Sequence, residues 1–269
     1  MRYNIPTKLI EIARGDDRMD AETKVPTEEM YARTVRLIGQ DGFDRLRRAH
    51  VCLFGVGGVG GAAAEALVRA GIGKITLVDP DTVAASNLNR QLVATQETVG
   101  MPKTAAAERR LHAIDPNCTV IERRTFYLPE NAAEFDFAEY DYVLDAIDTV
   151  SAKLSIVAEC KKAGTPVICA MGTGNKLTAE GMTVTYIEKT HTCPLAAVMR
   201  RELKKRGIKK VKVVDSPVPP VKPAPDPTAG KKQPPASISF VPPVCGYLMA
   251  GEVVRDLLAD TENEWSERL

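Results

Sequence analysis

The string Gly55-Val56-Gly57-Gly58-Val59-Gly60 joins a short apolar run, HVCLF, to an alanine-rich stretch with helical spacing. Glycines between a strand and a helix permit a tight turn. They also let an anion approach the helix N-terminus, where unpaired N–H groups and the helix dipole favour negative charge. Asp79 stands 19 residues beyond Gly60, where a carboxylate can accept hydrogen bonds from ribose hydroxyls. To this point a nicotinamide or flavin enzyme fits as well as any other nucleotide-binding protein. Arg90 and Lys103 add cations of the kind that neutralise phosphate charge in adenylyl transfer. Asp148, at the end of the run YDYVLDAID, is placed where ligands of open α/β sheets bind, and a carboxylate there can hold Mg²⁺ beside phosphate oxygens. Each residue also has a plainer reading: a structural turn for the glycines, backbone-bonding turn residues for Asp79 and Asp81, and solvated surface charges for Arg90 and Lys103. Asp145 reads more readily than Asp148 as a structural strand-end residue.

Four further strings follow the glycine loop in order: Asp79-Pro80-Asp81, Ser86-Asn87-Leu88-Asn89-Arg90-Gln91, Gly100-Met101-Pro102-Lys103-Thr104 and Asp145-Ala146-Ile147-Asp148. Together they resemble the ubiquitin-activating-enzyme-like family of ATP-dependent adenylating enzymes, over roughly residues 30 to 260. The resemblance implies an ATP site built from Gly55, Gly57, Gly58, Gly60, Asp79, Asp81, Asn87, Arg90 and Lys103. It implies catalytic roles for Arg33, Arg90, Lys103 and Asp148, with Mg²⁺ on Asp148. It also implies a homodimer in which an arginine of one protomer reaches the partner's ATP site, Arg33 being the better match in Tyr31-Ala32-Arg33-Thr34-Val35-Arg36 and Arg36 the alternative.

Sulfur-carrier activators of that family carry two C-x-x-C pairs for structural zinc, and this sequence has neither. The strings AMGTGNK (170–176) and TCPLA (192–196) and the basic stretch Arg200 to Lys212 instead resemble the branch that dehydrates threonylcarbamoyladenosine in tRNA. That resemblance implies activation of the threonyl carboxylate as an acyl-adenylate, followed by ring closure with loss of AMP and no enzyme nucleophile. The rival readings are activation of a small sulfur-carrier protein, a non-catalytic nucleotide-binding subunit, and a nicotinamide dehydrogenase. Whether a sulfur-transfer or cysteine desulfurase partner accompanies the protein is left open.

Cys193 is a tempting thiol, with His191 two residues away, but no third group orients the histidine, and a lone cysteine is more often packing. Lys176 either contacts substrate or caps a turn. From Arg200 to Lys232 eleven cations face three acids, a local excess of eight in a chain whose net charge is +1. Such a run is an electrostatic footprint for a phosphate backbone, here tRNA, or else a solvated face.

These residues need a scaffold, and the apolar pattern supplies one. Short apolar runs at HVCLFG, KITLVD, CTVIER, YDYVLDAID and PVICAM alternate with helical stretches at VGGAAAEALVRAGI, MPKTAAAERRLHAID and SAKLSIVAECKKAG. That alternation predicts an α/β, Rossmann-like doubly wound, mostly parallel sheet, with a less regular C-terminal extension made of MTVTYIE, LAAVMRRELKKRG, VKVV and VCGYLMAGEVVRDLLAD. Residues 1–29 read as a flexible extension. Residues 30–269 read as one ATP-binding domain interrupted by a Pro/Lys-rich loop at about 215–235, which proline bars from core helix or strand. With 269 residues, 44% apolar and 26% charged, the chain has globular composition. It has no apolar run of the roughly 18 residues a membrane span needs and no apolar leader, so a cytoplasmic protein with no membrane partner is expected. The six scattered cysteines read as free thiols.

Overall fold

The computed structural model describes residues 25–225 and 233–259. Residues 1–24, most of the expected N-terminal extension, lie outside them, as do 226–232 of the Pro/Lys-rich loop and 260–269.

Seven strands form one sheet in the order β3-β2-β1-β4-β5-β7-β6. They are β1 (His50–Phe54), β2 (Lys74–Val78), β3 (Thr119–Arg123), β4 (Tyr142–Asp145), β5 (Val167–Ala170), β6 (Thr183–Tyr186) and β7 (Lys212–Asp215). Every neighbouring pair is parallel except β6 with β7. The helices are α1 (Thr27–Met30), α2 (Ala32–Arg48), α3 (Gly58–Ala70), α4 (Lys103–Ile114), α5 (Val150–Ala163), α6 (Pro194–Lys205) and α7 (Val241–Leu258). The doubly wound α/β reading is therefore the observed architecture, and β6, α6, β7 and α7 form the less regular C-terminal part.

The central strands are buried on both faces, as expected of a parallel sheet covered by helices. Side chains alternate across it: Val51 and Leu53 join the core under α3, α4 and α7, while Cys52 and Phe54 join the core under α5 and α6. Phe54 packs on Tyr127, Phe135 and Phe137, an aromatic group from the turns between β3 and β4. Helix α7 lies tightly on α3 because Gly246 lacks a side chain; a Cβ there would stand 2.2 Å from the Val59 carbonyl oxygen. Its first turn contains Pro242 and Pro243, three residues ahead of the expected start, because a helix's first residues have no intrahelical use for an N–H. All six cysteines are free and buried. None of the helices in the described residues is long and apolar enough to cross a membrane.

Candidate nucleotide-binding active site

The glycine loop leaves the end of β1 and enters α3, with Gly55 at φ +90° and Gly57 at the helix cap. Two of its glycines answer to the protein's own packing. A Cβ on Gly60 would fall 1.8 Å from the Gly55 carbonyl oxygen, and one on Gly55 would meet the Ala146 carbonyl oxygen at 2.8 Å in addition to adopting a left-handed backbone. Gly58 faces the backbone of Arg90, whose carbonyl oxygen is 3.2 Å from the corresponding point. Gly57 is different: among the described residues, only Gln91 Nε2, at 3.9 Å, comes near its missing Cβ. Its open side faces the cleft.

Asp79 follows β2 and holds the loop from below. The Val56 N–H donates to its Oδ2 at 2.6 Å and the Asp81 N–H to its Oδ1 at 2.9 Å. Burial pushes this carboxyl above the ordinary carboxylate range, against the pull of the Val56 N–H and of Lys103. Lys103, at the start of α4, stands 2.7 Å from Asp81 Oδ2 and 3.9 Å from Asp79 Oδ1. Each carboxylate oxygen keeps a second lone pair for a hydroxyl donor.

Beyond β4 the chain turns outward. The strand ends at Asp145, not at Asp148 as the run YDYVLDAID implied, because the Asp145 carboxylate accepts from its own Ile147 N–H at 3.3 Å and pairs with Lys153 at 2.9 Å. Asp148 stands three residues on, exposed. A cleft of about 250 Å³ gathers Gly55, Gly57, Asp79, Asp81, Lys103 and Asp148, floored by Phe54 and Val78 and rimmed by Phe126. Six residues read from the sequence are thus brought to one place, at the C-terminal ends of β1, β2 and β4, where open α/β sheets bind ligands.

The others stand apart. Asn87 uses its side-chain oxygen to accept the Ala84 N–H, and Arg90 donates to Ser86 O at 3.0 Å and Asn89 Oδ1 at 2.8 Å beside the glycine loop. Arg33 and Arg36 lie on α2, whose start is anchored by Tyr31, bonded to Val68 O and Asp115 at the far ends of α3 and α4. That is the end of the sheet opposite the cleft, and neither arginine lines the cleft. Cys193 is buried at the start of α6 and accepts the Gly172 N–H at 3.3 Å. Lys176 is buried and caps carbonyls, donating to Val218 O at 2.6 Å and Ser216 O at 3.3 Å.

Two residues near the site carried no recognisable signal. Gln91 is buried beside Gly57, and its Oε1 has no hydrogen-bond partner among the described residues. Lys153 is fully buried behind the β4–α5 loop. Both lie within strings already noted, yet nothing in their spacing marks them as buried polar groups.

The sequence profile of the ThiF family matches residues 31–269. The chain belongs to the ThiF family. Among its relatives, the tRNA threonylcarbamoyladenosine dehydratase of Bacillus subtilis is 42% identical over 243 residues, spanning 86% of this chain and 96% of that protein. Among solved structures, the Escherichia coli tRNA N6-threonylcarbamoyladenosine dehydratase in complex with ATP superposes with a TM-score of 0.79 at 32% identity, covering 88% of this chain and 98% of that one. The same enzyme in complex with AMP gives a TM-score of 0.79 at 31% identity, covering 92% and 100%.

Proposed function

We propose that this ThiF-family chain is an ATP-dependent dehydratase of threonylcarbamoyladenosine in tRNA. The observation that carries the reading is the cleft itself, where a glycine loop with one open position, a pinned carboxylate and a buried lysine converge as an adenylating site requires. Its fold matches, over nearly the whole chain, an enzyme of that name with ATP and with AMP bound.

ATP lies with its phosphates over Gly57 at the start of α3, where helix N–H groups face the anion. Asp79 and Asp81 accept from the ribose, and Phe126 offers an apolar rim. The threonyl carboxylate attacks the α-phosphorus, a new P–O bond forms and pyrophosphate leaves. Lys103, and Arg90 beside the loop, stabilise the charge that develops on the phosphates. The neighbouring carbamoyl group then attacks the acyl carbon, the ring closes and AMP departs with the former carboxylate oxygen, so the nucleoside loses one water. No covalent bond to the protein is needed, in keeping with Cys193 and Lys176 being engaged in packing and capping.

Asp148 fits a Mg²⁺ role: its carboxylate is exposed at the cleft and makes no hydrogen bond among the described residues. Bound there, Mg²⁺ would neutralise phosphate charge. The protein acts as a cytoplasmic homodimer, with Arg33 completing the partner's ATP site. Its placement away from its own cleft supports that reading.

The decisive experiment is mass spectrometry of nucleosides from threonylcarbamoyladenosine-containing tRNA incubated with the protein and ATP. Loss of one water, with one AMP released per event, is expected. ATP-dependent adenylation of a sulfur-carrier protein with no change in the nucleoside would overturn the assignment.

A further inference from the structure

Lys153 presents a puzzle of placement. In the first turns of α5, its side chain is 0% exposed, as is that of Asp145, and the ammonium stands 2.9 Å from Asp145 Oδ2. Among the described residues that oxygen has no hydrogen-bond partner, and its charge is met by the ion pair. Burial opposes the lysine's charge, yet Asp145 more than compensates, and the ammonium is held above its ordinary value. A buried ion pair is no better for stability than two apolar side chains of similar size, and is frequently worse. Stability therefore does not account for it.

Its geometry offers another account. Lys153 Nζ donates to the Ile147 carbonyl oxygen at 3.3 Å, and Asp145 Oδ1 accepts the Ile147 N–H at 3.3 Å. One ion pair thus grips both peptide groups of a single loop residue. On the other side the loop is wedged against the glycine loop: the Ala146 N–H donates to Phe54 O at 2.8 Å, and the Ala146 carbonyl lies against Gly55. The next residue is Asp148, and its charge also reaches Lys153.

We propose that the buried Asp145–Lys153 pair is a positioning device, clamping Ile147 by both of its peptide groups so that Asp148 is presented at a fixed reach from the glycine loop. The inference rests on the reading of Asp148 as the Mg²⁺-holding carboxylate. Lys153 touches neither nucleotide nor metal; it acts through the loop.

Removing one partner alone would strand a buried charge and endanger the fold, so the test replaces both with apolar side chains, Asp145→Leu with Lys153→Met. This double variant is expected to fold with a Tm at or above that of the parent. It should bind AMP without metal as the parent does, measured by calorimetry, because the glycine loop and Asp79 are untouched. The Mg²⁺ concentration for half-maximal ATP–pyrophosphate exchange should rise about 10-fold or more, the usual range when a residue orienting a metal ligand is removed. Mn²⁺ affinity in the presence of a non-hydrolysable ATP analogue, read by electron paramagnetic resonance, should fall in parallel. Parental Mg²⁺ dependence and Mn²⁺ affinity in the folded double variant would overturn the proposal. Should that variant not fold, Lys153→Arg keeps the charge but changes its reach, and parental Mg²⁺ dependence there would overturn the proposal equally. Asp148→Asn in the same titration separates the two levels. If it is impaired while the double variant is not, only the positioning role fails; if Asp148→Asn behaves as the parent, the metal reading fails and the positioning role falls with it.

Discussion

Gly57 and Gly60 stand three residues apart in one loop and obey different constraints. The protein itself excludes a side chain at Gly60, whose Cβ would overlap the Gly55 carbonyl oxygen, whereas at Gly57 the nearest atom, Gln91 Nε2, is a comfortable 3.9 Å away. The described residues therefore do not themselves require a glycine at 57, and a phosphate approaching the start of α3 is the proposed reason for it. Gly60→Ala should cost about 3 kcal/mol of stability through overpacking, or prevent folding. Gly57→Ala should change stability by less than about 1 kcal/mol, since its backbone is accessible to alanine. Its ATP affinity should nevertheless fall at least about 10-fold, equivalent to about 1.4 kcal/mol. Thermal melts paired with calorimetric ATP titrations check both. An alanine at 57 that leaves ATP affinity intact would remove phosphate approach as the reason for that glycine. The sequence marked all four glycines alike, because spacing cannot tell a residue constrained by its own fold from one constrained by a ligand.

At the level of elements, what was legible depended on whether the signal is local. Strands β1, β2, β4 and β5 stood out because burial on both faces makes them continuous apolar runs, and α6 because Ala196, Met199 and Leu203 recur at helical spacing under a basic face. Helix α2 was not legible. Only Gly42, Phe43 and Leu46 of its 17 residues are buried and Gly39, at φ +74°, interrupts it, so its few apolar residues form a narrow face in a largely charged stretch. The aromatic group of Tyr127, Phe135 and Phe137 was invisible for a similar reason, as it is carried on short turns whose common target, Phe54, is distant in sequence. The site shows the same division. Gly55, Asp79, Lys103 and Asp148 fall in short strings with a chemical rationale, while Lys153 looks like any lysine of an amphipathic helix. A fully buried lysine is rare enough that sequence reasoning assigns it to solvent, and only the fold reveals Asp145 opposite it. Even the end of β4 was misplaced by three residues, because it is set by that ion pair and not by hydrophobicity.

The whole molecule adds two constraints that neither loop nor helix contains. The first is assembly: Arg33 lies away from the cleft, so the proposed catalytic role for it requires a second copy of the chain. Mixing Arg33→Ala protomers with Lys103→Ala protomers should restore partial activity, because some sites in the heterodimer then hold both cations. No recovery at any ratio, with heterodimers verified by native mass spectrometry, would end the case for action in trans. The second is charge. A chain with a net charge of +1 has no global attraction for RNA, so any grip on tRNA must come from a concentrated patch. The structure narrows the basic stretch considerably. Arg200 is spent on Thr190 and Lys212 on Glu252 and Asp256, while Lys231 and Lys232 lie outside the described residues. Exposed cations remain at Arg201, Lys204, Lys205, Arg206, Lys209, Lys210 and Lys222. Among these, Lys205, Arg201 and Arg206 converge on Glu202 and draw its carboxyl down to about 2. Such exposed pairs are weak and screened, so a phosphate can readily compete for the same cations. Replacing Arg201, Lys204, Lys205, Lys209 and Lys210 with alanine should weaken tRNA binding and reduce the slope of log affinity against log salt by roughly 0.7 to 0.9 for each phosphate that the patch no longer neutralises. ATP affinity, set by the glycine loop at a different part of the sheet, should stay at the parental value. Salt-dependent filter binding beside ATP titration distinguishes this from a merely solvated face, for which both sets of curves would overlay those of the parent. If tRNA binding falls while a short RNA fragment carrying the modified nucleoside is still dehydrated, the patch serves docking, and the chemistry belongs to the cleft alone.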